Sequence, residues 1–240
     1  MIKFLSFSNS LMGLNSGIKE KAWVLLQKIR GKPLMPEYIS KDKKFIELYN
    51  QIKGCALLGA ERAHMIYQFA RHSLNIPGDA AEVGVYKGGS AKIIASVFGN
   101  SSKKIHLFDT FEGTPEIDPA KDNNNFLRKG MYDDVDFDSV KNFLAEFKNV
   151  RIYKGIFPKT ANAIKKSRFC FVHIDVNTYR STKDCLEFFY PKMNKGGIIL
   201  LDDYKSKECR GVQKAADQFF KGRKECIIQT TSHQCAIIKI

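Results

Sequence analysis

The feature that most constrains this chain is a change of texture at residue 79, beyond which short apolar runs alternate with amphipathic stretches. Residues 80–85, 104–108, 150–153, 169–174 and 197–201 have the length and composition of strands. Residues 90–98, 139–147, 182–190 and 210–220 repeat apolar side chains at helical spacing. Strand and helix taken in turn predict an α/β fold, a mostly parallel sheet with helices on both faces. Two last apolar runs, residues 225–229 and 234–240, flank Thr-Thr-Ser-His and predict a hairpin that adds an antiparallel edge. Ahead of the sheet, helices are predicted over 18–29, 43–53 and 60–74, without a core of their own. Residues 1–75 are therefore expected to form an N-terminal helical cap, and residues 76–240 the main domain.

Composition narrows the classes. With 240 residues, 44% hydrophobic and 27% charged, the chain can bury a sizeable core, which excludes disorder and fibrous repeats. No run approaches the roughly 20 apolar residues of a membrane span. The N-terminal apolar run is broken by Ser6, Ser8, Asn9 and Ser10, a poor signal peptide. The six cysteines show no metal-ligand spacing, and Cys170 and Cys185 sit in apolar or helical contexts that suit reduced, buried thiols. A cytoplasmic location is expected on that ground. The net charge of +14 leaves nucleic acid, acidic lipid or a phosphorylated substrate open as partners, beside a plain solvated surface.

Ligands of open α/β sheets bind beyond the carboxyl ends of the strands, so those ends carry the candidate chemistry. The first strand runs into Gly84-Val85-Tyr86-Lys87-Gly88-Gly89-Ser90. Glycines at such a turn admit a ligand to the backbone, and the helix N-terminus that follows favours a carboxylate. A tight turn needing small residues would read the same, and the pattern is neither Gly-x-Gly-x-x-Gly nor a phosphate loop. The second strand ends at Asp109, where a carboxylate can accept both hydroxyls of a ribose or can cap a turn. Together the two features indicate an adenosine-containing cofactor.

The fourth strand ends in His173-Ile174-Asp175-Val176-Asn177 and the fifth in Leu201-Asp202-Asp203-Tyr204. Three carboxylates on adjacent strand ends repel one another unless a cation or a proton neutralises them. Oxygen-only ligands point to a hard cation, Mg²⁺ ahead of Mn²⁺ or Ca²⁺. A polar strand terminus capped by Lys205 is the plainer alternative. Residues 113–138, polar, acidic and without periodicity, read as a mobile lid over the site or as a surface loop.

The antiparallel edge suits the Rossmann-like class I methyltransferase fold better than a dinucleotide-binding one. Six strings in order, residues 76–90, 108–115, 154–160, 173–182, 190–197 and 201–204, resemble the macrocin O-methyltransferase family. Members of that family methylate sugar hydroxyls with S-adenosylmethionine and Mg²⁺. The resemblance implies that Glu82, Gly84, Tyr86, Gly88, Gly89 and Ser90 hold the methionine end of the cofactor. Asp109, with Thr110 beside it, would hold the ribose, and Gly155, Ile156 and Phe157 would border the adenine. Asp175, Asp202 and Asp203 would be the metal ligands. Asp175, also in cofactor contact, is the implied base, with His173 and Lys183 behind it. In one departure, the family's acid-x-acid after the fourth strand is Asp175-Val176-Asn177 here.

Two other classes compete. An RNA methyltransferase would suit the basic balance, but the chain lacks an Asn/Asp-Pro-Pro-aromatic stretch and its lysines are dispersed. A NAD-dependent oxidoreductase or a nucleotide-binding module leaves three strand-end aspartates unexplained. The expected partners are a sugar or nucleotide-linked sugar acceptor and further copies of the chain in a homo-oligomer, without nucleic acid. The basic surplus of residues 1–60 is expected to favour an anionic acceptor.

Overall fold

The computed structural model describes residues 35–122, 126–231 and 233–240, so the helix expected over 18–29 lies outside the described residues. Of the described residues, 35–41 belong to one unit. In it, the single helical turn α1 (Glu37–Ser40) is closed by the Ser40 hydroxyl on the Glu37 carbonyl at 2.9 Å. All else belongs to the second unit, Asp42–Ile240.

There, α2 (Lys43–Gln51) starts where the Asp42 carboxylate accepts the Phe45 N–H at 3.1 Å, satisfying a donor the helix itself cannot. Helix α3 (Ala60–Ser73) carries Glu61 in its first turn and Arg71 and His72 in its last, each matched to the helix dipole. The alternating region follows as β1 (Asp79–Val83), α4 (Gly89–Phe98), β2 (Ile105–Asp109), α5 (Pro119–Asp122) and α6 (Phe137–Phe143). It continues through β3 (Val150–Lys154), β4 (Phe169–Ile174), α7 (Tyr179–Phe189), β5 (Met193–Asp202) and α8 (Arg210–Phe220), and closes with β6 (Ile228–Thr231) and β7 (Gln234–Ile238). The seven strands lie in the order β3-β2-β1-β4-β5-β7-β6. Every pair is parallel except β5–β7 and β6–β7, the antiparallel edge read from the sequence.

Period-two alternation gives the sheet two buried faces. Ala81, Val83, Val172, Ile174, Ile199, Leu201, Cys235 and Ile237 turn to one core, where Leu186 and Phe189 of α7 and Val212, Ala216 and Phe220 of α8 cover them. Each such Phe, Ile or Leu contributes about 1.5–3 kcal/mol by leaving water. The other face lies under α3 and α4, and here it is not wholly apolar. Glu82, His173, Asp202 and Gln234 form a buried polar row across β1, β4, β5 and β7, with Glu82 paired to His173 and Asp202 to Gln234 in register.

Several boundaries differ from expectation for local reasons. Helix α6 starts at Phe137, not 139, because the Asp136 carboxylate accepts the Ser139 N–H at 2.7 Å. The segment expected at 225–229 joins the sheet only at Ile228, since Glu225 is held by Lys239 (2.7 Å) and the Tyr190 hydroxyl (2.8 Å). Residues 113–138 are closed at the neck by Thr114 N–H on the Met131 carbonyl (2.7 Å) and Gly130 N–H on Thr114 (2.9 Å). Cys170 and Cys185 are buried free thiols, and burial pushes the Cys170 pKa up to about 11. No helix among the described residues is long and apolar enough to cross a membrane.

Candidate functional site

The carboxyl ends of β1, β2, β4 and β5 open onto a cleft enclosing about 1170 Å³, part of it open to solvent. Residues 55–58 and Arg62 close it on one side, and Thr114, Pro115, Met131 and Tyr132 on another. Arg62 is the only lysine or arginine among the lining residues described. Backbone strain gathers here. Tyr86, Tyr132, Asn177 and Asp203 line the cleft with φ of +49°, +70°, +61° and +58°, and Phe111, just past β2, has +52°. Non-glycine residues held in this left-handed region cluster at functional sites, where the surroundings over-determine them. Asn and Asp are among the few side chains that tolerate it, as at Asn177 and Asp203. The Asn177 Oδ1 faces the Cys209 thiol at 3.9 Å.

The turn after β1 is shaped by backbone crowding. Gly84 has φ +91°, and a Cβ there would stand 1.8 Å from the Asp175 carbonyl oxygen, so only glycine lets β1 and β4 end side by side. A Cβ on Gly89 would lie 2.7 Å from the Cys55 carbonyl, which accepts the Gly89 N–H at 3.0 Å. That contact seats residues 55–58 on the start of α4. Asp109 governs the same turn. Its Oδ2 accepts the N–H groups of Val85 (2.7 Å) and Tyr86 (2.8 Å), and its Oδ1 that of Phe111 (2.7 Å). Most of its accepting capacity already goes to backbone. The Tyr86 hydroxyl donates to Asp134 at 2.8 Å, and Lys87 joins that carboxylate at 2.5 Å, tying the β1 turn to the 113–138 segment.

At the other end of the cleft stand the acids. Burial, then the Asp202 and Asp203 charges, pushes the Asp175 carboxyl well above the usual carboxylate range. Burial also raises Asp202, against the pull of Arg62 and His173. One guanidinium nitrogen of Arg62 lies 3.3 Å from Asp202 Oδ2 and 3.5 Å from Asp203 Oδ1, while the other donates to the Leu57 carbonyl at 3.1 Å. Burial works against the Arg62 charge, but Asp202, Asp175 and Asp203 outweigh it and raise its pKa. Asp202 Oδ1 accepts from Gln234 at 3.1 Å.

Thus Gly84, Tyr86, Ser90, Asp109, Thr110, Gly155, Ile156, Phe157, Asp175 and Asp203 all line one cleft. Other expected positions do not. Glu82 and His173 are wholly buried beneath α3, joined through Glu82 Oε1 and His173 Nδ1 at 2.8 Å. Burial works to lower the His173 pKa, but the Glu82 bond and charge outweigh it and raise it, and the ring is not among the residues that line the cleft. A Cβ on Gly88 would face Phe143 and Val140 and one on Gly89 residues 55 and 56, and neither glycine is among the lining residues. Asp202 sits behind Asp203, 1% exposed. Lys183 pairs with Glu187 at 3.5 Å on the outer side of α7, and Lys205 donates to Gln229 at 2.8 Å instead of capping the acids. Arg62 and Tyr132 escaped the sequence reading. Their only signal is an arginine in the first turn of a helix and a tyrosine inside an aperiodic loop.

The Macrocin-O-methyltransferase (TylF) family profile matches residues 45–230. The chain is similar to the 8-demethyl-8-(2,3-dimethoxy-alpha-L-rhamnosyl)-tetracenomycin-C 4'-O-methyltransferase of Streptomyces olivaceus, at 30% identity over 56% of each chain. It is 25% identical to the mycinamicin III 3''-O-methyltransferase of Micromonospora griseorubida, over 64% of this chain and 66% of that enzyme. The matches thus span between about half and two thirds of those relatives. Among solved structures, the calicheamicin methyltransferase CalS11 superposes with a TM-score of 0.68 at 18% identity, covering 94% of both chains. That likeness places this sheet among class I methyltransferase folds.

Proposed function

The chain belongs to the macrocin O-methyltransferase family, and from that premise we propose that it transfers the methyl group of S-adenosylmethionine to a sugar hydroxyl with the help of Mg²⁺. The observation that carries the reading is the cleft itself. A strained glycine turn, a strand-end acid and an apolar wall at Ile156 and Phe157 line it together with Asp175 and Asp203, and Asp202 is buried beside Asp203. The donor set suits a hard divalent cation, because all three side chains offer oxygens and none offers sulfur or nitrogen. Burial raises Asp175 and Asp202, with neighbouring carboxylates adding to the rise at Asp175 and Arg62 and His173 opposing it at Asp202. Asp175, Asp202 and Asp203 would hold the ion.

When bound, S-adenosylmethionine supplies an electrophilic methyl group and Mg²⁺ lowers the pKa of the acceptor hydroxyl. The protein's own part is positioning and proton transfer. Gly84, Tyr86 and Ser90 would border the methionine end, the accepting capacity that Asp109 has left beyond its three backbone donors would meet the ribose, and Ile156 and Phe157 would flank the base. Asp175 would accept the proton of the acceptor hydroxyl, and S-adenosylmethionine would supply the methyl group and depart as S-adenosylhomocysteine. Holding the two reactants in line supplies much of the acceleration. A methyl-transfer assay over nucleotide-linked, phosphorylated and lipid-linked sugars tests the proposal. One of these should be methylated only with a divalent cation present, and Asp175→Asn should cost at least about 100-fold in turnover while still binding S-adenosylhomocysteine. Calorimetric binding of NAD in place of S-adenosylhomocysteine would overturn the reading.

A further inference from the structure

We infer that Arg62 is an internal counter-cation of the Asp202–Asp203 pair, and that it and a divalent cation occupy those acids alternately, the guanidinium withdrawing when the metal binds. This rests on the reading that Asp175, Asp202 and Asp203 hold a metal.

The geometry is that of a substitute. A single guanidinium nitrogen sits between two carboxylates of adjacent residues at 3.3 and 3.5 Å, with no second nitrogen on either acid. Good charge-assisted pairs are about 2.7–2.9 Å long, and arginine prefers to grip one carboxylate with two nitrogens. Here the fork is split, because its other nitrogen is committed to the Leu57 carbonyl. The pair is loose on both sides. A divalent ion, approaching oxygens to about 2.1 Å and carrying twice the charge, neutralises the same two acids better. Both cannot sit there at once, since a guanidinium nitrogen between the oxygens fills the space the ion needs. Among the described residues, no three metal-ligating side chains stand ready around one point.

The requirement for some cation is built into the fold. Asp202 is 1% exposed and cannot turn to solvent, while Asp203, at φ +58° just past β5, lines the cleft. His173 is engaged by Glu82, and its Nε2 is 3.9 Å from Asp202 Oδ2, so it helps from the far side only. Among the described residues, Arg62 alone reaches both acids from the cleft. Its bond to Leu57 also means that withdrawal releases a tie on residues 55–58, which line the cleft wall. Metal entry and the shape of that wall are thereby coupled.

The experiment measures Mg²⁺ affinity by calorimetry, and Tm with and without Mg²⁺, in the full chain and in Arg62→Met and Arg62→Lys. Without metal, Arg62→Met should melt lower than the parent, because two buried acids lose their counter-charge. With saturating Mg²⁺ the difference should shrink. Mg²⁺ should bind Arg62→Met about tenfold or more tightly than the parent, since no guanidinium has to be displaced. Arg62→Lys, which keeps the charge on a single nitrogen and drops the Leu57 bond, should fall between them, and it serves if Arg62→Met does not fold. Equal Mg²⁺ affinity in parent and variants, or weaker affinity in the variants, overturns the exchange while leaving the metal site standing. No response to Mg²⁺ in any of the three proteins, with S-adenosylhomocysteine still bound, overturns both.

Discussion

Replacing Asp109 by alanine would strip three backbone donors of their acceptor at once. Val85 and Tyr86 lose a carboxylate oxygen at 2.7 and 2.8 Å, and Phe111 loses one at 2.7 Å. A hydrogen bond to a charged group is worth about 1.5–3 kcal/mol. Water from the adjacent cleft can re-satisfy part of this, so the three together come to about 4 kcal/mol. In a chain of this size 1 kcal/mol moves Tm by about 2–4 °C, so the cofactor-free protein should melt about 8–16 °C lower. Asp109→Asn separates two roles. Its amide oxygen can keep the Val85 and Tyr86 bonds, but its NH₂ then meets the Phe111 N–H donor to donor. That costs about 2 kcal/mol, or about 4–8 °C. Scanning calorimetry without cofactor, followed by titration with S-adenosylhomocysteine, reads both effects. If the carboxylate served a ribose alone, both variants would melt like the parent before cofactor is added, and that result refutes the anchoring argument. An Asn variant with lowered Tm but parental affinity would remove the ribose from the assignment instead.

Asp122, 1% exposed, accepts the Tyr179 N–H at 2.6 Å and the Asp118 N–H at 3.0 Å, pinning the 113–138 segment to the start of α7. Asp122→Ala should cost about 2–4 kcal/mol, and Gly211→Ala, whose Cβ would lie 1.9 Å from the same carboxylate, should also loosen that segment to limited proteolysis. A Gly211→Ala protein with the parent's Tm and cleavage pattern would show that the peg is dispensable. Glu225 is buried, yet Lys239 and Tyr190 outweigh that burial and hold its pKa down to about 2. Because the folded value lies below the unfolded one of about 4.3, this stability is complete above about pH 5 and disappears as pH falls toward 2. Glu225→Gln should therefore lower Tm at pH 7 and narrow its gap to the parent at pH 3, and a gap that stays constant between the two would count against the pairing.

Much of the architecture was legible because period and punctuation are local. Alternating apolar runs and helical spacing identified all seven strands and the main helices, and the Thr-Thr-Ser-His link identified the antiparallel edge. Strand ends likewise marked Asp109, Asp175, Asp202 and Asp203, since ligands of such sheets gather there. The short helix α5 and the start of α6 were not legible, because side-chain caps such as that of Asp136 act over three residues with no hydrophobic period.

What the sequence determined by itself, then, is which residues stand at the ends of which strands, because that follows from the two-residue period of a strand and the glycines that end it. It could not determine what those residues touch. His173 lies two positions before Asp175, which suggests a shared face, but β4 ends at Ile174 and the parity rule ends with it. His173 therefore stays under α3 with Glu82, while Asp175 reaches the cleft. Asp109 meets Val85 and Tyr86 only because β1 and β2 run parallel in one register, with Val83 beside Phe108. Arg62 meets Asp202 across 140 residues of chain because α3 packs over β4 and β5. A hydrogen bond or ion pair is decided by distances of a few tenths of an ångström between distant segments, and only the packed sheet sets those.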